Sequence, residues 1–123
     1  MQSLNVIVAN GDQLAASRLV ASLHTHFRDV AVARSLDEVR SGIPKHGANL
    51  AIVDLETVPL TEVRRLCHDF GQTSVVVTHR LPDEEMWADA LAAGAIDCCQ
   101  SVDANAIVQA VDRNLRSTRG HAA

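Results

Sequence analysis

Short apolar runs alternate with helix-like patterns along the whole of this 123-residue chain, and that alternation constrains its fold more than any single residue. The runs fall at 4–9, 30–33, 49–53, 74–78 and 96–99. They are rich in Val, Ile and Ala and too short for helices, which is how buried parallel strands read. The segments between them carry apolar residues at helical spacing and recognisable ends. Residues 12–27 place Leu14, Leu19, Val20 and Leu23 on one side, with Asp12 as an N-cap or first-turn acid. Ser35 and Glu38 form a capping box for a helix that Pro44 and Gly47 should end. Pro59 opens a short helix through Val63, Leu66 and Cys67, stopped by Gly71. Pro82 and the acids after it open another, with proline in its first turn, running to Gly94. A last helix spans 103–115, with Ser101 or Asp103 at its cap. Strict strand–helix alternation predicts an α/β domain with a doubly wound parallel sheet covered on both faces. Periodicity does not fix the strand order.

Composition narrows the function classes. The chain is 47% hydrophobic with two Phe, one Trp and no Tyr, so its core is built from Val, Leu, Ile and Ala. A net charge of −4 offers nothing to neutralise a run of phosphates, so no nucleic-acid role is expected. No apolar stretch reaches the ~20 residues of a membrane span, and no leader precedes the first strand. A soluble cytoplasmic domain is expected. Cys67, Cys98 and Cys99 are odd in number and two are adjacent, which suits small buried apolar residues better than disulfides or zinc. His24 and His26 lie two apart on a helix and cannot chelate together. His79 is expected to be a solvated loop residue. The chain divides into a domain over 1–117 and a flexible tail or linker start over 118–123.

Asp54 directly follows the third run, which places it at the carboxyl edge of the sheet. Ligands and chemistry gather at that edge in open α/β sheets. A strand-end carboxylate also serves simply to cap the next loop, and that is the local alternative for Asp54.

Taken in order, Asp54, Thr78 at the end of the fourth run, and the segment Ala90-Leu-Ala-Ala-Gly-Ala-Ile-Asp97 resemble the receiver domain of bacterial two-component response regulators. The resemblance covers nearly the whole chain. It implies the flavodoxin-like order 2-1-3-4-5 with five helices on both faces. It also implies that Asp54 is the phosphoacceptor, that Thr78 contacts phosphoryl oxygens, and that two acids after the first strand hold Mg²⁺. A lysine after the fifth strand would complete the set.

Here the chain departs from the family. The loop reads Ala9-Asn-Gly-Asp12, so the acid pair falls on Ala9-Asn10, Asn10-Gly11 or Gly11-Asp12, and no register supplies two carboxylates. Asn10 and Gly11 are the lost acid positions; Asp12, with Asp54, is the remaining candidate metal ligand. Ser101 stands where the lysine belongs, as a second phosphate-contact candidate, and Val102 replaces a proline. Phosphoryl transfer relies on neutralising charge on the transferred group. The chain therefore reads as a degenerate receiver with weak or no phosphorylation at Asp54 and with Mg²⁺ poorly provided for. The resemblance further implies protein partners, a histidine kinase or an output domain following Arg119. It implies a homodimer through the face of the fourth and fifth helices, where Trp87 and Leu91 are the surface candidates. The alternative is a flavodoxin-like small-molecule or nucleotide-binding domain with Asn10-Gly11 as a minimal phosphate cradle. No nucleophile–base pair is legible, so an enzyme is not expected.

Overall fold

The five runs form one parallel sheet, and the residues just beyond their carboxyl ends become neighbours. A computed structural model describes residues 2–101 and 103–122, excepting the side chains of residue 2 and of 115–122. Val102 and Ala123 lie outside the described residues, as do the side chains of the expected tail over 118–123. The elements are β1 (Gln2–Ala9), α1 (Gln13–Leu23), β2 (Phe27–Ala33), α2 (Leu36–His46) and β3 (Leu50–Asp54). They continue with α3 (Leu60–Asp69), β4 (Ser74–His79), α4 (Glu84–Ala93), β5 (Asp97–Gln100) and α5 (Ala104–Ala122). Strand order is β2-β1-β3-β4-β5, all parallel, the flavodoxin-like arrangement.

Alternation of side chains along the strands divides the core in two. Ile7, Ala9, Ala51, Val53, Val75 and Val77 face Val39 and Ile43 of α2, Val63 and Leu66 of α3, and Ala90 and Ala93 of α4. On the other side Val6, Val8, Leu50, Ile52 and Val76 face Leu19 and Leu23 of α1 and Ile107, Ala110 and Val111 of α5. Every residue of β3 is buried, because it lies at the centre of the sheet with helices on both faces. That is why its sequence is continuously apolar until Asp54.

Several boundaries differ from the sequence expectation. Helix α1 ends at Leu23, and residue 27 begins β2 instead of closing the helix. Phe27 is 1% exposed, and its pairing opposite Gln2 in β1 buries a ring that a helix end would have left in water. Pro44 does not stop α2, which runs to His46 before Gly47 caps it in the left-handed conformation. Proline in a last turn forfeits one hydrogen bond without interrupting a helix about to finish. Pro82 stands outside α4, whose N-cap is Asp83 accepting from the Met86 N–H at 2.8 Å. Helix α5 begins at Ala104 and is longer than the expected 103–115.

Gly94 closes α4 with φ +109°, and a Cβ there would sit 2.8 Å from Cβ of Cys67 on α3. Gly94→Ala combines a disfavoured backbone with a clash between helices and should cost roughly 2 kcal/mol or more in urea denaturation. Gly71→Ala, with nothing within 4 Å of its added Cβ, is the control and should be near neutral.

Candidate functional site

The carboxyl ends of β1, β3, β4 and β5 frame a cleft of about 430 Å³, lined among others by Asn10, Asp12, Asp54, Glu56, Arg80 and Ser101. Asp54 is 6% exposed at its floor. A buried carboxylate is tolerated only where donors replace lost water, and here three do so. Thr78 Oγ1 donates to Asp54 Oδ1 at 3.0 Å and Ser101 Oγ donates to the same oxygen at 3.1 Å. The Glu56 N–H donates to Oδ2 at 3.2 Å. Parallel registration puts Thr78 directly beside Asp54, and Ser101 follows the end of β5. Ser101 is thus turned into the cleft rather than onto α5, where Asp103 accepts from the Ala106 N–H at 2.9 Å.

The loop after β1 is tied down by its own side chains. Asp12 is the N-cap of α1, its Oδ1 accepting from the N–H groups of Leu14 at 3.0 Å and Ala15 at 3.1 Å. Buried Asn10 uses Oδ1 to accept from the Asp12 N–H at 2.9 Å. The Gly11 N–H donates to Thr57 Oγ1 at 2.8 Å, joining the loops after β1 and β3 directly. Four amides that would cradle an anion are therefore occupied by internal acceptors. This arrangement does not favour the phosphate-cradle alternative.

Arg80 is a residue the sequence reading missed. Its guanidinium grips the Glu56 carboxylate twice, Nε to Oε1 at 2.7 Å and Nη2 to Oε2 at 3.2 Å, at the mouth of the cleft. Glu56 chiefly, then the fields of Asp54 and Asp12, hold the guanidinium protonated above even its usual range. The signal was in the spacing. Asp54 pairs with Thr78, and Glu56 and Arg80 each stand two residues further along the same two strand ends.

Three carboxylates line the cleft, and each has partners: Asp12 the α1 amides, Glu56 the guanidinium, Asp54 two hydroxyls and an amide. Among the described residues no group of three or more His, Cys, Asp or Glu comes together as a cation site. His79 is half-buried, its Nδ1 accepting from the Leu81 N–H at 3.1 Å. The three cysteines are free thiols; only Cys99 is fully buried, while Cys67 and Cys98 are partly exposed. Burial pushes the thiols up, Cys99 to about 12, which leaves little reactive thiolate.

Away from the cleft, Trp87 of α4 is 48% exposed, its indole N–H donating to Asp97 Oδ1 at 3.1 Å. Arg113 of α5 holds the other oxygen of Asp97 at 3.1 Å. Leu91 lies exposed one turn further along α4, while Ala90 and Ala93 face the core. Trp87 therefore stands at the rim, pinned by an acid of β5, rather than folded over the sheet edge.

Solved structures share this architecture. The signal receiver domain of the putative response regulator NarL from Mycobacterium tuberculosis superposes with TM-score 0.80 at 17% identity, covering 94% of this chain and 98% of that one. A CheY-like response regulator receiver domain protein from Methanospirillum hungatei gives 0.79 at 14% identity, covering 98% and 99%. The chain has the receiver fold. The isolated REC domain of RcsB from Salmonella enterica, solved with the phosphomimetic BeF3−, gives 0.78 at 16% identity over 91% and 90%. No protein-family model matches the sequence, and no curated protein matches it. Among the described residues, no helix of this receiver fold is long and apolar enough to cross a membrane.

Both hydroxyls on Asp54 donate to a charged acceptor, so each should contribute about 1.5–3 kcal/mol. Thr78→Val and Ser101→Ala should each lower the urea midpoint accordingly, and the losses should shrink in an Asp54→Asn background. Equal losses in both backgrounds would mean that the hydroxyls act elsewhere.

Proposed function

We propose that this domain is a receiver-type signalling module in which Asp54 accepts a phosphoryl group slowly and the output passes through protein contacts. The observation that carries the proposal is Asp54 itself, placed at the carboxyl end of the central strand and facing a solvent-open cleft. Thr78 supports the reading, since it already touches the carboxylate whose product it would stabilise. Ser101 stands as a second oxygen contact, a hydroxyl in place of a full cation.

The cleft fits Mg²⁺ poorly, because that ion prefers an octahedral oxygen site with carboxylates free to bind it. Asp12 is committed to α1, and Asn10 and Gly11 supply no second acid. With a weakly held ion and no lysine, transfer loses charge stabilisation that is typically worth several kcal/mol. The domain is accordingly read as an attenuated receiver, acting in the cytoplasm as a signalling partner and not as an enzyme in its own right. A histidine kinase would supply the phosphoryl group. The rim formed by Trp87 and Leu91, beside α5, would engage an output domain or a second copy. Residues 1–117 would form the module, with α5 continuing as helix past that boundary to Ala122.

Incubation with acetyl phosphate and Mg²⁺, followed by intact mass, tests this. Slow, substoichiometric labelling that disappears in Asp54→Asn is expected. Rapid stoichiometric labelling would make this an ordinary receiver, and an unlabelled wild type would remove the phosphoacceptor role.

A further inference from the structure

Among the described residues lining the cleft there is one cation, Arg80, and it is held by a carboxylate on the loop that also holds Asp54. Glu56 plays two parts. Its backbone N–H donates to Asp54 Oδ2, and its side chain takes both arms of the Arg80 guanidinium. Resting on the reading of Asp54 as phosphoacceptor, we infer that Arg80 is the residue that neutralises the phosphoryl group, and that Glu56 is a latch that withholds it until a dianion enters the cleft.

Geometry and chemistry support the exchange. Arg80 and Asp54 line the same cleft, and Arg80 lies within the electrostatic reach of Asp54 and Asp12. Its side chain is 76% exposed, so it can change partners without disturbing the core. The pair is bidentate but exposed, so water screens it and a dianion entering the cleft competes for the same guanidinium. A guanidinium binds phosphate oxygens by the same two-pronged geometry with which it now binds a carboxylate. The Arg80 carbonyl meanwhile accepts from Gln100 Nε2 at 3.3 Å, which ties the arginine's backbone to the end of β5 while its side chain moves.

The step balances simply. An Asp54 carboxylate oxygen attacks phosphorus of the donor, an O–P bond forms, and the bond from phosphorus to the leaving group breaks. That bond is P–O in acetyl phosphate and P–N in a phosphohistidine, whose imidazole nitrogen keeps the electron pair. With acetyl phosphate the electron pair leaves on acetate, and no proton is required. Two negative charges on the transferred group then remain in the cleft. Thr78 and Ser101 offer them hydroxyls; Arg80 would offer positive charge.

The test is a mutant cycle read by intact-mass labelling with acetyl phosphate, run in Mg²⁺ and in EDTA, with melting temperatures as the folding control. Arg80→Gln should slow labelling about tenfold, less than the loss of a buried charge-stabilising donor because an exposed guanidinium is screened, and Arg80→Lys should recover part of it. Glu56→Gln should accelerate labelling severalfold, and this gain should vanish in the Arg80→Gln background. Rates should be similar with and without the chelator. A gain from Glu56→Gln that persists without Arg80 would be a general charge effect and would overturn the latch. Unchanged labelling in Arg80→Gln would overturn the role of Arg80 while leaving Asp54 as acceptor. A protein that takes no label in any variant would overturn this inference together with the phosphoacceptor reading beneath it.

Discussion

A carboxylate at the end of a buried strand has lost most of its water, and the surrounding chain must supply donors in its place. Asp54 meets that requirement with two hydroxyls and a backbone amide, drawn from β4, the segment after β5, and its own loop. Those three contacts reach across the carboxyl edge of the sheet and set the shape of the cleft. The order β2-β1-β3-β4-β5 brings them within reach, because it puts β3 beside β4 and opens the crevice where the winding reverses.

The same economy governs the loop after β1. Asp12, Asn10 and the Gly11 amide find partners within the chain, and Thr57 ties that loop to the one after β3. Where two acids sharing a cation would bridge these loops, a single hydrogen bond of 2.8 Å does so here. Positive charge is present nonetheless, carried by Arg80 at the rim instead of by a lysine beyond β5. The resemblance and the geometry therefore agree on the scaffold and differ on how negative charge in the cleft would be met.

Much of the fold was legible because its signals are local and repeated. Continuous apolar runs identified strands buried on both faces, and Ser35, Gly47 and Gly94 marked helix ends through capping chemistry. Phe27 was misread because an aromatic residue suits either a helix end or a strand start, and only the pairing with β1 decides it. Asp54 and Thr78 were legible as strand-end positions, but the hydrogen bond between them was not. Ser101 was read mainly as a cap because nothing in its neighbours reveals that it turns toward a carboxylate 47 residues away. Arg80 and Glu56 were overlooked because each is an ordinary charged loop residue when viewed alone. Their common offset from the Asp54–Thr78 pair becomes meaningful only once the two strands are in register.

Internal donors satisfy Asp54, and under the proposed function it needs no tightly bound cation. The most direct check is a Mg²⁺ titration followed residue by residue in the amide NMR spectrum. Through millimolar Mg²⁺, the Glu56 and Gly11 amides should keep their hydrogen-bonded shifts, with only small non-saturating drifts elsewhere in the cleft. A saturable response at residues 10–12 and 54–57 at submillimolar metal would show that a cation displaces those contacts, and the account would be wrong.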